Sequence, residues 1–124
     1  MDNIQLIRDY LGATVPGQIQ LDKVREFLAD DVKVDDPLMA LEGADAFVAA
    51  LASTQEAAPP GPEGAMSSTI QEVVGGDDIV AARVLFEVMG MTVQFSQWFW
   101  IVDGKISRIQ VIYDPRPFLE MAPG

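Results

Sequence analysis

Residues 91–113 read MTVQFSQWFWIV, then DG, then KISRIQVIY, which is the pattern of a β-hairpin. Asp103-Gly104 is a strong turn signal, because a tight two-residue hairpin turn favours residues that tolerate a positive φ. We therefore predict two adjacent antiparallel strands, Met91–Val102 and Ile106–Tyr113. Asp114-Pro115 ends the second strand, since proline cannot donate to a strand ladder.

The strand at Met91–Val102 is apolar on both of its faces. Alternation places on one face Val93, Phe95, Phe99 and Ile101, and on the other Trp98 and Trp100 with Gln94 and Ser96. A sheet with one face in water would alternate apolar with polar residues, so both faces must be covered. Helices can cover one face, and a second copy of the chain is the simplest cover for the other. The pattern predicts a homodimer through the outer sheet face.

The segments before this hairpin predict further strands and helices. Gly75-Gly76-Asp77-Asp78 is a turn signal between two strands, Ser67–Val74 and Ile79–Met89. Apolar residues recur at helical spacing in three earlier stripes, which are Ile4–Leu11, Leu21–Leu28 and Ala44–Leu51. Helices followed by hairpin-linked strands predict an α+β fold.

Two connecting segments have distinct compositions. Val32–Asp36 is predicted as a short extended piece that stops at Pro37, because the residue before a proline avoids the α region. Glu56–Gly64 is dense in both proline and glycine, and we interpret it as a mobile loop or lid rather than a linker between domains.

The composition limits the classes of function. The chain has 124 residues without Cys or His, which excludes a Ser-His-Asp triad, thiolate catalysis and Cys-based metal sites. Nineteen acidic against eight basic residues give a net charge of −11, which argues against nucleic acid or an anionic membrane as partner. We expect one domain over residues 1–124 in the cytoplasm, because no signal peptide or membrane-spanning apolar run is visible.

Several segments resemble the nuclear transport factor 2-like superfamily, in particular its ketosteroid isomerase-like and SnoaL-like members. Phe27–Pro37, FLADDVKVDDP, resembles their FADD…V.DP segment. Gly43 with the apolar helix after it, and Phe86-Glu87, resemble the next two segments. Asp103–Asp114, with its DGKI and VIYD, resembles the family's last hairpin. The resemblance implies a cystatin-like conical half-barrel, in which three N-terminal helices pack on a curved antiparallel sheet.

The resemblance also implies an apolar pocket between the helices and the sheet, suited to a flat hydrophobic ligand. By that match, the substrate-binding residues are Val34, Ala82, Val84, Phe86, Ser96, Trp98, Trp100, Ile109, Val111 and Tyr113. The outer, dimer-facing side would carry Arg83, Leu85, Glu87, Phe95, Phe99 and Ile101. Neither a cofactor nor a metal is expected.

Asp36 matches the position of the isomerase's general-base aspartate. A carboxylate in an apolar pocket loses hydration and becomes a better proton acceptor, so it could move a proton between carbons next to a carbonyl. The alternative is an ordinary turn residue before proline that accepts hydrogen bonds from nearby backbone.

Tyr10 lies 26 residues before Asp36, close to the spacing of the isomerase's oxyanion-hole tyrosine. Its hydroxyl could donate to a carbonyl that develops negative charge, whereas the alternative is a core-packing tyrosine. The isomerase has a protonated aspartate beside that tyrosine. Counting back from Gly104 without gaps puts Ser96 there, and a one-residue slip puts Gln97, so this chain lacks the acid.

Asp114 is the other candidate base, because SnoaL-like polyketide cyclases have an acid near the end of the last strand. The alternative is an Asp-Pro turn that ends the strand. The chemistry of limonene-epoxide hydrolase is rejected, because that enzyme needs an Arg-x-Asp pair and an acid on the last strand. Here Leu85 follows Arg83 two residues later, and Val111 lies where the last acid belongs.

Two further patterns have structural interpretations. Trp98-Phe99-Trp100 is assigned to core and interface rather than to cofactor stacking, and the paired aspartates to surface rather than to a metal site. The leading hypothesis is a cofactor-free acid–base isomerase or cyclase for a hydrophobic, steroid- or polyketide-like carbonyl compound, with Asp36 as base and Tyr10 as donor. The alternative is a non-catalytic module that binds a hydrophobic small molecule or dimerises.

Overall fold

Two helices and two strands come first, a third helix and four more strands follow, and a short helix ends the described chain. A computed structural model of the chain describes residues 2–15, 18–56, 66–88 and 91–121. The helices are α1 (Asn3–Ala13), α2 (Leu21–Phe27), α3 (Ala44–Glu56) and α4 (Arg116–Met121). The strands are β1 (Leu28–Asp36), β2 (Met39–Glu42), β3 (Met66–Gly75), β4 (Ile79–Val88), β5 (Met91–Val102) and β6 (Lys105–Ile112). The predicted α+β class is confirmed, while β2 and α4 have no counterpart among the predicted elements.

The strands form one sheet in the order β2-β1-β6-β5-β4-β3. Neighbours are antiparallel except β1 and β6, which run parallel with Val34 opposite Ile109. The expectation of an antiparallel sheet is therefore corrected at this pair. Helix α3 and four other strands separate β1 from β6 along the chain, so no hairpin turn imposes antiparallel pairing on them.

Helix α1 is capped by Asp2, whose Oδ1 accepts a hydrogen bond from the backbone N–H of Ile4 at 2.9 Å. Such a cap satisfies a backbone donor that the first helical turn leaves unpaired. The buried side of the helix carries Leu6, Ile7, Tyr10 and Leu11. This packing places the Tyr10 ring edge-on against Phe99 of β5, with 5.4 Å between the ring centroids.

Glycines allow the tight turns between β3 and β4 and between β5 and β6. At the β5–β6 turn, Asp103 and Gly104 have φ values of 51° and 76°, as the predicted two-residue turn requires. At the β3–β4 turn, a Cβ on Gly75 would lie 2.4 Å from the carbonyl oxygen of Ile79, so no side chain fits there. These turns join β3 to β4 and β5 to β6 as antiparallel neighbours.

Alternating burial along β5 separates two faces of the sheet. The inner face, which packs against the helices, carries the buried residues of this strand, namely Val93, Phe95, Gln97, Phe99 and Ile101. Residues paired across antiparallel strands share a face. Ala82 and Val111, which both pair with Gln97, therefore also lie on the inner face. The outer face carries the intervening residues of β5, including Ser96, Trp98 and Trp100.

The predicted loop or lid at Glu56–Gly64 lies outside the described residues, except for Glu56 at the end of α3. Within the described ranges, no helix has the length and apolar character needed to cross a lipid bilayer.

Candidate functional site

A cavity of about 240 Å³ lies between the helices and the inner face of the sheet. The backbone N–H of Ile19 donates to Oε1 of Gln55, which ties the segment before α2 to the helix α3 that forms one wall. The lining is mostly apolar and consists of Tyr10, Thr14, Ile19, Val34, Asp36, Met39, Phe47, Leu51, Thr54, Phe86, Phe95, Gln97, Ile109 and Val111. A few polar groups in an apolar enclosure can fix the orientation of a small ligand.

Asp36 lies at the end of β1, where Pro37 stops the strand. Its Oδ1 accepts hydrogen bonds from the backbone N–H groups of Leu38 and Met39, at 2.7 and 2.9 Å. These bonds form the turn into β2 and fix the carboxylate. Among the described residues, Oδ2 has no hydrogen-bond partner. One carboxylate oxygen is therefore engaged in the turn, while the other, unpaired within the described ranges, is on a residue that lines the cavity.

Tyr10 is buried, with 4% of its surface exposed. Its ring lies edge-on to Phe27 and Phe99, which fixes its orientation. Burial raises the pKa of its phenol well above the ordinary value, so the hydroxyl stays protonated and can donate a hydrogen bond. Among the described residues, that hydroxyl has no partner. Tyr10 and Asp36 thus line the same cavity.

Ser96, Trp98 and Trp100 lie on the outer face, and the prediction that they line the pocket is corrected. The cause is a bulge in β6, since Ile101 pairs with Ile106 but Trp100 pairs with Arg108. If β5 and β6 paired residue by residue from the turn onward, Trp98 and Ser96 would lie opposite Ile109 and Val111, which are on the inner face. The extra residue of β6 shifts the pairing by one, so Phe99 and Gln97 lie there instead.

The same shift corrects three residues expected on the outer side. Ile101 is buried on the inner face. Phe95 lines the cavity, and Phe99 is fully buried beneath Tyr10. Gln97, the alternative reached by a one-residue slip, also lines the cavity and is buried. The sequence signal for the inner face was the row of large apolar residues at odd-numbered positions of β5, from Val93 to Ile101.

The remaining residues expected at the pocket divide into three groups. Four of them line the cavity, namely Val34, Phe86, Ile109 and Val111. Ala82 and Val84 are buried on the inner face but are not part of the lining. Tyr113 is half-buried, and its ring stacks on Phe95 at 4.3 Å between centroids and 12° between planes. Burial, and then the negative charge of Asp36, raises the pKa of Tyr113.

Asp114 has different surroundings from Asp36. Its carboxylate accepts hydrogen bonds from the guanidinium group and the backbone N–H of Arg116. These bonds lower its pKa to about 2, and Asp114 is not among the cavity-lining residues. The structure therefore does not bring this carboxylate together with Asp36 and Tyr10.

Several lining residues had no place in the sequence-based site. Phe47 and Leu51 belonged to an apolar helical stripe, which predicts burial but does not distinguish a cavity wall from a packed core. Met39 comes from β2, and Thr14, Ile19 and Thr54 come from helix ends and a connecting segment. No periodic signal marks such positions. Across the described ranges, no three or more acidic side chains gather as metal ligands would.

The arrangement of helices and mixed sheet defines the NTF2-like, or cystatin-like, fold, and solved structures with this fold cover nearly all of the chain. A candidate SnoaL-like polyketide cyclase from Jannaschia sp. CCS1 superposes with a TM-score of 0.79 at 16% identity, over 98% of this chain and 93% of that one. A candidate ketosteroid isomerase from Kribbella flavida gives a TM-score of 0.73 at 17% identity, over 97% and 89%. A limonene-epoxide-hydrolase-like epoxide hydrolase from M. tuberculosis gives 0.72 at 17%, over 94% and 86%. At such identities the likeness establishes the fold alone.

The chain belongs to the SnoaL-like domain family, whose sequence profile matches residues 7–109. No curated protein matches the chain in sequence. The predicted family and fold are therefore confirmed. The names of the distant relatives include an isomerase, cyclases and an epoxide hydrolase, so membership of the fold does not select one activity.

Proposed function

We propose that this protein is a cofactor-free acid–base enzyme, an isomerase or cyclase, that acts on a hydrophobic carbonyl compound in the cavity. One observation carries the proposal: the same apolar cavity is lined by the Asp36 carboxylate, with Oδ2 available, and by the protonated Tyr10. The names of the candidate isomerase and cyclases among the distant relatives are consistent with it.

Asp36 is assigned the role of base. Oδ2 takes a proton from the carbon next to the carbonyl, and the electron pair of that C–H bond moves to form an enolate. Tyr10 donates a hydrogen bond to the carbonyl oxygen as its negative charge grows. In an isomerase, the Asp36 carboxyl returns the proton to another carbon. In a cyclase, the enolate carbon attacks a second carbonyl of the same molecule, and the proton goes to the new alkoxide.

The test measures proton transfer without a known substrate. The α-protons of 2-tetralone, a two-ring enolisable ketone, exchange with deuterium in D₂O, and NMR follows their loss. We expect the wild type to accelerate this exchange over buffer and Asp36→Asn to lose roughly a hundredfold of that rate, the usual scale for a removed base. Asp31→Asn removes the same charge from an exposed position of β1 and should retain the rate. Equal rates for wild type and Asp36→Asn would exclude Asp36 as base.

The second candidate is a non-catalytic binder of a hydrophobic small molecule. The two backbone hydrogen bonds to Asp36 favour it, because an ordinary turn aspartate before proline makes the same bonds. If 2-tetralone binds in the cavity but its α-protons exchange no faster than in buffer, the protein is better described as a non-catalytic binder.

We further propose that two copies associate through the outer face. Five of the eight large hydrophobic side chains exposed in the described ranges lie on this face: Val74, Ile79, Trp98, Val102 and Ile112. The charged residues that pair on this face are balanced, with four basic against four acidic residues: Lys33, Arg83, Lys105 and Arg108 with Asp35, Glu42, Glu72 and Glu87. The chain has a net charge of −11, so two copies repel each other where acidic residues dominate the surface. The balanced charges of the outer face reduce this repulsion.

A further inference from the structure

A buried amide in the cavity wall has no partner. Gln97 is only 8% exposed, and within the described ranges no group forms a hydrogen bond with its side chain. No nitrogen or oxygen of a described side chain is both fully enclosed and unpaired. The Gln97 amide must therefore reach the cavity that this residue lines, where a ligand or water can satisfy it.

The chemistry of an amide defines what satisfies it. Nε2 of Gln97 donates, and Oε1, beside it, accepts. A ligand that offers only a carbonyl pairs with Nε2 and leaves Oε1 without a donor, and a buried acceptor without a donor weakens binding. A ligand with a donor and an acceptor on adjacent atoms pairs with both at once.

The volume of the cavity limits the size of the enclosed ligand. An apolar cavity of about 150 Å³ encloses one benzene ring, and this cavity has about 240 Å³. By that scale it encloses about ten non-hydrogen atoms, which corresponds to two fused rings. A four-ring steroid would extend far outside it.

We infer that Gln97 selects a compact neutral ligand of one or two rings, in which a carbonyl has an N–H or O–H donor on the adjacent ring atom, as in a lactam or a hydroxy-ketone. The carbonyl accepts from Nε2 of Gln97 and from the Tyr10 hydroxyl, and the adjacent donor pairs with Oε1. This inference rests on the proposed function for the identity of the ligand site. It does not depend on proton transfer by Asp36.

The test uses two isosteric probes in calorimetric titrations. 2-Quinolone has a ring N–H beside its carbonyl, and coumarin has a ring oxygen at that position. We expect the wild type to bind 2-quinolone at least about tenfold more tightly than coumarin, the usual effect of one unpaired buried group. Gln97→Leu, which keeps the volume and removes both polar atoms, should lose or reverse this preference. Gln5→Leu, the same substitution on the exposed side of α1, should keep it.

Two further measurements separate the possible failures. Gln97→Leu should melt at a temperature no lower than the wild type, because it removes an amide that has no partner in the protein, so its loss of preference would not reflect unfolding. Asp36→Asn should keep the preference even if it abolishes proton exchange, which distinguishes ligand selection from catalysis. An equal preference in wild type and Gln97→Leu, no binding of either probe by the wild type, or equally tight binding of androst-4-ene-3,17-dione would overturn the inference.

Discussion

Asp36 and Gln97 lie on the same face of the sheet, two strands apart, with Val111 between them. Val111 pairs with Gln97, and Asp36 follows the pair Asp35–Gln110 by one residue. Since neighbouring strands are about 4.8 Å apart, the two backbones are separated by roughly 10 Å. A carboxylate and an amide therefore project from the same face of the sheet into one cavity, with the apolar Val111 between them.

The pH dependence of stability should report the burial of Tyr10. The pKa of Tyr10 in the folded protein is raised above 10.0, the value for an unfolded chain. The stability that the protonated Tyr10 contributes is therefore fully present below pH 10 and is lost as the pH rises above 10. Above that pH the unfolded chain releases a proton that the folded chain retains. This lowers the free energy of unfolding by up to about 1.4 kcal/mol per pH unit. The free energy of unfolding can be measured in urea from about pH 9 to about pH 11, a range that spans the ordinary pKa of tyrosine. Over this range it should decline less for Tyr10→Phe than for the wild type. Identical declines would contradict the buried phenol.

The charge of Asp36 should be detectable at Tyr113. A nearby carboxylate opposes formation of a phenolate, so its removal lowers the pKa of Tyr113. We expect Asp36→Asn to shift the phenolate absorbance of Tyr113 to lower pH, measured in a Tyr10→Phe background where Tyr113 is the only tyrosine. Asp31→Asn serves as the control of equal charge. A shift of the same size in both variants would mean that net charge, rather than proximity, is responsible.

Arg116 should hold the Asp114 carboxylate in its ionised form. Its hydrogen bonds lower the pKa of Asp114 to about 2, so we expect Arg116→Gln to raise that pKa towards the ordinary 3.8, as measured by carboxyl-carbon NMR. The stability that this pair contributes is present above pH 4, the region of the unfolded value, and is lost as the pH falls towards 2. The group is exposed, so added salt should weaken the effect. An unchanged titration curve in the variant would contradict the assignment.

Trp98 should be a contact between two copies of the chain. It is 40% exposed on the outer face, and a charge there would be desolvated in a dimer but hydrated in a monomer. We expect sedimentation at micromolar concentration to show a dimer for the wild type and a monomer for Trp98→Glu. Leu38→Glu, at an exposed position in the turn before β2, should remain dimeric. A monomeric wild type would remove the proposal.

The last hairpin was predicted from sequence to within one residue, because its alternation and its turn are local properties of the chain. The inner and outer faces of β5 were interchanged, because the family match that placed Trp98 and Trp100 at the pocket and the gap-free count that placed Ser96 there did not allow for the bulge in β6. Ile106, Ile109 and Val111 recur at intervals of three and two, and this break in the period of two was the trace of the bulge. The position of Asp36 came from family resemblance. The cavity itself depends on how α3 sits over the sheet, which no local pattern encodes.

The parallel pairing of β1 with β6 has a consequence for how the protein is made. Val34 contacts Ile109, 75 positions later in the chain, so loop-closure entropy must be overcome before this contact forms. On the ribosome, Asp36 leaves the exit tunnel long before Val111, its neighbour in the finished sheet. The cavity is therefore assembled at the end of synthesis, and until then the apolar residues of β1 and β5 are exposed to chaperones and to neighbouring nascent chains.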